Sequence, residues 1–349
     1  MRVMMLSWEY PPKVVGGIAR HVHDLAIALV KKGIEVDVVT CGVQGALEFE
    51  ADEGVNVHRI NMNNPIAPDF LTWVLQLNLN LVEEANRLGK NGNKIDLLHA
   101  HDWLVAYAGK NLKHSWRIPL VSTIHATEYG RNNGLHNELQ RYISNVEWWL
   151  GYESWRVIAC SRYMEDELKR IFQIPQDKLR VIPNGVYPAE FQKTDIDPLK
   201  IRNRYSAPDE KIIFHVGRIV REKGLGVLLE AMPRVLEFEP RVKLVIAGKG
   251  AYLEDLRHRA YQLGIYNRIY FTGYIDDNTR NALFQCADVA VFPSLYEPFG
   301  IVALEGMAAG TPVVVSDTGG MSEIIKHGVN GLKAYTNNVI SLADNIIWA

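Results

Sequence analysis

Residues 292–305 read Phe-Pro-Ser-Leu-Tyr-Glu-Pro-Phe-Gly-Ile-Val-Ala-Leu-Glu, and they join a predicted strand to a predicted helix. The apolar run 287–292 predicts a buried parallel strand, and the apolar and small residues of 301–309 predict a helix. The turn between them carries Glu297, while Glu305 lies inside the helix. Because the first amides of a helix have no intrahelical acceptor, this arrangement is a natural anion site. We therefore expect a bound diphosphate here, with a carboxylate on each side of it that binds hydroxyl groups.

The same alternation of strands and helices extends through the second half of the chain. Such an order predicts a parallel sheet that is covered by helices on both faces. The predicted strands are 211–216, 243–247, 269–272, 289–292 and 312–315, and the predicted helices are 224–238, 251–263, 278–286, 301–309 and 338–348.

The first half shows a second alternation of the same kind. In the segment 18–32 the apolar residues recur at helical spacing, and Gly33 ends that helix. The predicted strands are 2–6, 35–40, 55–60, 96–100, 120–124 and 156–159, and a long amphipathic helix is predicted at 70–88.

Turn-forming residues separate the two halves. Pro183, Gly185 and Pro188 mark a connector, and 349 residues are too many for one ordinary core. We predict an α/β protein of two Rossmann-like, doubly wound parallel-sheet domains, at 1–186 and 187–349. Ligands of such sheets bind beyond the carboxyl ends of the strands, so two domains whose strand ends face each other would enclose a cleft.

Composition excludes several classes of protein. Hydrophobic residues make up 48% and charged residues 22% of the chain, which is typical of a globular protein and not of a disordered one. The net charge of −2 gives no general attraction to nucleic acid. The N-terminal apolar run is too short for a signal peptide, and no apolar window approaches about 18 residues, so no transmembrane segment is predicted. Three widely spaced cysteines predict free thiols and a cytoplasmic protein.

Two cations follow the first predicted strand of the second half. Arg218 and Lys223 are separated by a short loop, and a glycine flanks each of them. Such a pair would clamp a diphosphate, Arg218 through its planar fork and Lys223 as a point charge. The alternative is a solvated charged loop. At another strand end, Tyr274 could stack on a base.

The first half also carries its distinctive residues at strand ends. Gly16 and Gly17 let the backbone approach a ligand closely, or form an ordinary strand–helix turn. Glu9 and Tyr10 precede them and would suit a sugar, although core packing explains the aromatic residue equally well. Asp102 could cap the next helix or reach a substrate.

Histidines cluster in this half as well. His125 follows a strand among polar neighbours, where it could contact a substrate or be a satisfied core residue. The loop 129–134 that follows is polar and could receive a second substrate. His99 and His101 resemble metal ligands, but no further cluster has the spacing of a metal site, so no metal is predicted.

These motifs together resemble the retaining glycosyltransferases of family four, which have the GT-B fold. The resemblance covers essentially the whole chain and rests on the Glu-x7-Glu and Gly-Arg-x4-Lys-Gly patterns of the second half and on the paired glycines of the first. The segments 7–11, 99–103 and 123–125 are similar to bacterial and archaeal glycogen synthases. The segment 127–131 is similar to actinobacterial α-1,4-glucosyltransferases.

The resemblance implies a hexosyltransferase with a nucleotide-sugar donor, ADP-glucose or UDP-glucose, an α-glucan acceptor, and no required cofactor. It implies that the second domain binds the donor and the first the acceptor. Family members continue with a further helix that crosses back to the first domain, so the resemblance also implies that this chain lacks one. The implied catalytic residues are His125, Asp102, Glu297, Arg218 and Lys223; donor-binding residues are Gly16, Gly17, Arg218, Lys223, Tyr274, Glu297, Phe299, Gly300, Ile301 and Glu305; acceptor-side residues are Glu9, Tyr10, Glu128 and Arg131.

Other functions remain open from the residues. The acceptor could be a small molecule, as in transfer of the sucrose or trehalose type, or a lipid. A nucleotide-sugar epimerase would turn over the donor without an acceptor, and a non-catalytic module would bind the donor without turnover. Oligomeric state is not predicted.

Overall fold

The structure, a computed structural model, describes residues 1–62, 66–90 and 94–349, with only the backbone of Lys90. These residues form two compact units, Met1–Pro183 and Asn184–Ala349. Each unit is built on one sheet with a separate hydrophobic cluster on either face. The alternation is visible in the first strand, where Met4 and Leu6 enter one cluster, while Val3 and Met5 enter the other.

Within the described residues, the sheet of the first unit has eight strands in the order β3-β4-β2-β1-β5-β6-β7-β8. All neighbours pair in parallel except β3 and β4, which are antiparallel. The strands are β1 Arg2–Leu6, β2 Glu35–Cys41, β3 Phe49–Asp52, β4 Val55–Ile60, β5 Leu97–His101, β6 Leu120–Ile124, β7 Arg156–Ala159 and β8 Leu179–Val181. The helices are α1 Gly17–Val30, α2 Phe70–Lys90, α3 Ala106–Trp116, α4 Glu128–Asn132, α5 Glu138–Glu153 and α6 Arg162–Phe172.

The sheet of the second unit has six described strands, all parallel, in the order β11-β10-β9-β12-β13-β14. The strands are β9 Lys211–Val216, β10 Val242–Ala247, β11 Ile269–Gly273, β12 Val289–Phe292, β13 Val313–Ser316 and β14 Leu332–Ala334. The helices are α7 Pro188–Gln192, α8 Pro198–Tyr205, α9 Leu225–Phe238, α10 Leu253–Gln262, α11 Asp277–Cys286, α12 Ile301–Ala308, α13 Met321–Ile324 and α14 Val339–Trp348.

The prediction of two α/β units with parallel sheets is confirmed. Short strands at or near the sheet edges were missed. In β3 the residues alternate between exposed and half-buried positions, so there is no apolar run from which this strand could be predicted. The strands β8 and β14 have three residues each, too few for a periodic signal.

Both sheets contain a point where the chain reverses the direction in which strands are added. In the first sheet this point lies between β1 and β5, and in the second it lies between β9 and β12. In open α/β sheets, ligands bind outside the strand ends at such points. The loops that follow these four strands are therefore the places where each unit offers a site.

Two further observations concern the surface and the thiols. Within the described ranges, no helix combines the length and apolar character that crossing a membrane requires. All three cysteines are free; Cys41 and Cys160 are buried, whereas Cys286 is partly exposed.

Candidate functional site

In the second unit, the loop after β9 is tied to the loop after β12 by backbone hydrogen bonds. The amides of Leu295 and Tyr296 both donate to the carbonyl of Glu222, at 2.8 and 3.3 Å. Gly224 has φ +66°, and a Cβ there would lie 1.9 Å from the carbonyl oxygen of Pro293. The predicted cation loop and the predicted carboxylate loop therefore pack directly against each other, and glycine is required where they touch.

This packing brings Lys223 and Glu297 into contact. Lys223 Nζ lies 2.7 Å from Glu297 Oε2, which also accepts a hydrogen bond from Ser294 at 3.2 Å. The two partners are largely buried, with side-chain exposures of 20% and 10%. Arg218 is more open, with 42% of its side chain exposed, and it pairs with Glu222 at 3.3 Å. One of the two predicted cations is thus held in place and the other can reorient.

The start of α12 supplies the amides that the sequence predicted. Gly300 lies at the N-cap position with φ +99°. A Cβ at this position would lie 2.6 Å from Met321 Cγ, so only glycine leaves room for the Met321 side chain. Phe299 is buried beside it, and Ile301 is the first helical residue. A helix start with this geometry presents unpaired amides to an anion.

Glu305 lies one turn further along α12. Its side chain is 5% exposed, and Oε2 is 4.0 Å from Arg280 Nε of α11. The exposed Tyr274 follows β11, with Lys249 Nζ 5.9 Å from the centre of its ring. The residues of the second unit that are predicted to bind a donor therefore belong to loops or to the first two helical turns that follow β9, β11 and β12.

In the first unit, the glycine turn is organised by a buried carboxylate. Glu9 is 1% exposed, and its Oε2 accepts the amides of Val15 and Gly16 at 2.6 and 3.1 Å. The carboxylate thereby holds the loop that leads into Gly17, the first residue of α1. Tyr10 is fully buried, and its hydroxyl donates to Asp52 at 2.9 Å. Core packing therefore describes Tyr10, and its burial gives no support to an acceptor contact.

Asp102 follows β5 and positions His125. Asp102 makes no capping hydrogen bond to the turn that follows it. Instead, its Oδ1 accepts the backbone amide of His125 at 2.7 Å. The capping alternative is thus wrong, because the carboxylate turns toward the neighbouring strand end. His125 Nε2 lies 3.2 Å from His101 Nδ1, so one of these nitrogens carries a proton that the other accepts.

The pKa values of these groups are shifted mainly by burial. Burial raises the pKa of Asp102 to about 6, against the opposing effects of Arg131 and of the His125 amide. Burial lowers the pKa of His125 to about 3, with smaller contributions from His99 and Arg131. At neutral pH the cluster therefore combines an ionised carboxylate with neutral imidazoles, which can donate or accept a hydrogen bond without carrying charge.

The polar loop after β6 is linked to the same cluster. Arg131 lies 3.7 Å from Asp102 and 4.0 Å from Glu128. The amide of Glu128 donates to both oxygens of Glu147, at 2.9 and 3.0 Å, and Glu147 is buried on α5. Of the four residues predicted on the acceptor side, Arg131 thus lies next to Asp102, and Glu128 lies next to Arg131.

Glu147 should make the stability of the protein depend on pH. Burial raises its pKa from 4.5 to about 8. Between these values the folded state keeps a proton that the unfolded state loses, so the free energy of unfolding falls as pH rises, by up to about 1.4 kcal/mol per pH unit. The variant Glu147→Gln keeps an acceptor for the Glu128 amide and removes the ionisation. Urea unfolding between about pH 5 and pH 8 should therefore give a flatter dependence for this variant.

A matched control is Glu138→Gln on the same helix, where the carboxylate is 90% exposed. This change should leave the dependence on pH as it is in the unmodified chain. Equal slopes for Glu147→Gln and the unmodified chain would contradict the prediction.

The sequence interpretation named His99, His101 and His125 but missed His21 and the convergence of the four rings. His21, on α1, places its ring 4.8 Å from that of His125, and the ring of His99 lies 4.1 Å from that of His101. Because these histidines come from α1, β5 and the loop after β6, linear spacing does not reveal that they converge. The paired glycines at the start of α1 are a nearby signal, but they mark the turn and not the histidine.

Comparisons with known proteins address the whole chain. Residues 15–190 match the family model described as Glycosyltransferase Family 4, and residues 198–349 match the model described as Glycosyl transferases group 1. An uncharacterised glycosyltransferase of Methanocaldococcus jannaschii is 46% identical, over 100% of this chain and 87% of the relative. A glycogen synthase of Mycobacterium tuberculosis is 37% identical, over 98% of this chain and 84% of the relative. The solved sucrose-phosphate synthase of Thermosynechococcus elongatus is 25% identical, with a TM-score of 0.84 over 99% of this chain and 88% of that structure.

Proposed function

The chain belongs to the family 4 glycosyltransferases, and from this premise we propose that it is a retaining hexosyltransferase that moves glucose from ADP-glucose or UDP-glucose to an α-glucan, as a glycogen synthase would. The observation that carries the proposal is the junction of Lys223 and Glu297 at the strand ends of β9 and β12. A cation beside a helix start suits a diphosphate, and a carboxylate beside it suits sugar hydroxyls. The identity to a glycogen synthase supports the glucan acceptor.

In this proposal the diphosphate, the transferred sugar and the ribose of the nucleotide-sugar are bound by different residues. Arg218, Lys223 and the amides at the start of α12 bind the diphosphate. Their contribution is larger in the transition state, because departure of the nucleoside diphosphate concentrates negative charge on its oxygens. Glu297 binds the hydroxyls of the transferred sugar, and Glu305 binds those of the ribose.

The first unit supplies the groups for the sugar and the acceptor. His125 binds the transferred sugar as a neutral imidazole, and Asp102 fixes its backbone while lying next to the reacting carbon. Glu128 and Arg131 serve the acceptor side. The acceptor hydroxyl attacks the face that the diphosphate leaves, and a phosphate oxygen takes its proton, so the configuration is retained. A double displacement through a carboxylate nucleophile is the alternative route. The free thiols support a cytoplasmic location.

A second candidate is transfer to a small sugar or sugar phosphate. The observation that favours it is the similarity to a sucrose-phosphate synthase over nearly the whole chain. Both candidates use the same donor groups and differ in the acceptor alone.

One panel of assays tests the proposal. Nucleotide release is followed with ADP-glucose or UDP-glucose, in the presence or absence of glycogen, maltose or glucose 1-phosphate. Release that requires glycogen, with an α-linked product, is the expected result. Release that requires only a small acceptor would favour the second candidate. Nucleotide release that is independent of any acceptor, or conversion of the donor to an epimer, would exclude transfer.

A further inference from the structure

Three imidazoles of the first unit converge although they are distant in the sequence. His21 lies on α1, His101 ends β5, and His125 follows β6. Each offers a ring nitrogen, and the three nitrogens lie within 4.8 Å of one another. One pair is closer still, since His101 Nδ1 is 3.2 Å from His125 Nε2.

These separations suit a transition-metal ion. Zinc binds imidazole nitrogen at about 2.0–2.1 Å, so two ligands of a tetrahedral ion lie about 3.3 Å apart. The pair formed by His101 and His125 already has this separation. Other separations among the three nitrogens reach up to 4.8 Å and must shorten to about 3.3 Å for all three residues to bind one ion. Three histidines with a fourth position open to water form a set of ligands that zinc accepts readily.

The other ring nitrogen of His101 is not part of this close pair. His101 is fully buried, and within the part of the chain that the structure describes its Nε2 has no hydrogen-bond partner. An ion bound through Nδ1 would leave Nε2 as it is, so it is the convergence of the three rings that points to an ion. His21 and His125 are only partly buried, so an ion can reach the cluster from solvent.

The surroundings of the cluster are compatible with a cation. Asp102 contacts the backbone of His125, and its carboxylate offsets the nearby Arg131, which lies 3.7 Å away. His99 packs against His101, with their ring centres 4.1 Å apart, and its Nε2 is 2.8 Å from Thr123 Oγ1. These contacts hold the backbone of His125 and the ring of His99 in place.

We propose that His21, His101 and His125 bind one divalent transition-metal ion, for which Zn²⁺ has the most suitable chemistry, and that this ion inhibits the protein. Binding of the ion does not depend on the proposed function. Inhibition does rest on it, because the ion occupies the His125 side chain that would otherwise bind the transferred sugar.

Metal titration of the full chain tests the binding. We expect one equivalent of Co²⁺ to produce the visible absorption of a low-coordinate Co²⁺ ion, and one equivalent of Zn²⁺ to displace it. The variant His21→Ala should bind Zn²⁺ at least about tenfold more weakly. The control is His23→Ala, which removes a histidine of the same helix outside the cluster and should leave the affinity unchanged. If His21→Ala does not fold, His101→Gln provides an independent ligand removal with the same expectation.

Three results would overturn this proposal. The first is that the unmodified chain takes up no stoichiometric ion. The second is that His21→Ala and His101→Gln bind the ion as tightly as the unmodified chain. The third is that His23→Ala weakens binding as much as His21→Ala does.

Inhibition is tested separately in the acceptor-dependent assay. Zn²⁺ should inhibit the unmodified chain reversibly, with recovery on addition of a chelator, and His21→Ala should need at least about tenfold more Zn²⁺ relative to its own uninhibited rate. Stoichiometric binding without any loss of transfer would overturn the inhibitory role. If the chain transfers no glucose at all, the proposed function fails, while the metal titration still decides whether the site exists.

Discussion

Replacement of both Arg218 and Lys223 by alanine should lower kcat/KM for glucosyl transfer by about 10³-fold or more. In the proposed function the leaving diphosphate gains negative charge in the transition state, and these two residues supply the side-chain cations that stabilise it. Lys223 is the better placed of the two, since its contact with Glu297 fixes it in a mostly buried position. Steady-state kinetics of nucleotide release measure the loss, with kcat falling as well as KM rising.

The control for this double variant is Arg221→Ala. Arg221 lies in the same loop, but 76% of its side chain is exposed, and it pairs with Asp255 and stacks 4.6 Å from the ring centre of Tyr252. Its loss should change kcat/KM by less than about threefold. Because removal of Lys223 leaves Glu297 without that partner, urea unfolding must confirm that the double variant is folded at the assay temperature. Transfer at near the unmodified rate by a folded double variant would rule out the diphosphate assignment.

Gly224→Ala should destabilise the protein by about 3 kcal/mol or more and abolish donor binding. Two effects add at this position. The φ of +66° costs a residue with a Cβ about 1 kcal/mol, and the Cβ would lie 1.9 Å from the Pro293 carbonyl oxygen, which cannot move without shifting the loop after β12. The free energy of unfolding in urea and the binding of ADP or UDP are the two measurements.

The control variant Gly264→Ala separates the cost of a positive φ from the cost of the steric clash with Pro293. Gly264 has a similar φ of +69°, but a Cβ there meets nothing within 4 Å. This variant should therefore lose only about 1 kcal/mol and bind nucleotide normally. Equal losses for the two variants would show that the contact between the loops contributes nothing.

Most of the fold could be predicted from the sequence, because strands in parallel sheets are buried on both faces and therefore form apolar runs. β9 and β12 stand out as short apolar runs, so the second sheet and the positions of its strand ends can be predicted. The pairing of these two loops is different, because it depends on which strands become neighbours. The contact between Lys223 and Glu297 follows from the adjacency of β9 and β12, which periodicity does not encode.

The first unit shows the same limit more strongly. His125 could be proposed from its place after a strand, whereas His21 gave no sign of its role. A histidine one turn inside an amphipathic helix resembles any other half-buried polar residue. Glu147 was equally hidden, because a glutamate in a helix normally faces solvent, and here it accepts the Glu128 amide from within the core.

The backbone hydrogen bonds from Leu295 and Tyr296 to Glu222 should make nucleotide binding detectable by thermal unfolding. They join segments that are far apart along the chain, so these two loops adopt this arrangement only when β9 and β12 lie side by side. A nucleotide that needs both loops binds the complete fold and not its partly opened forms. The free energy of nucleotide binding then adds to the free energy of unfolding of that unit. We therefore expect the melting temperature to rise with the logarithm of nucleotide concentration.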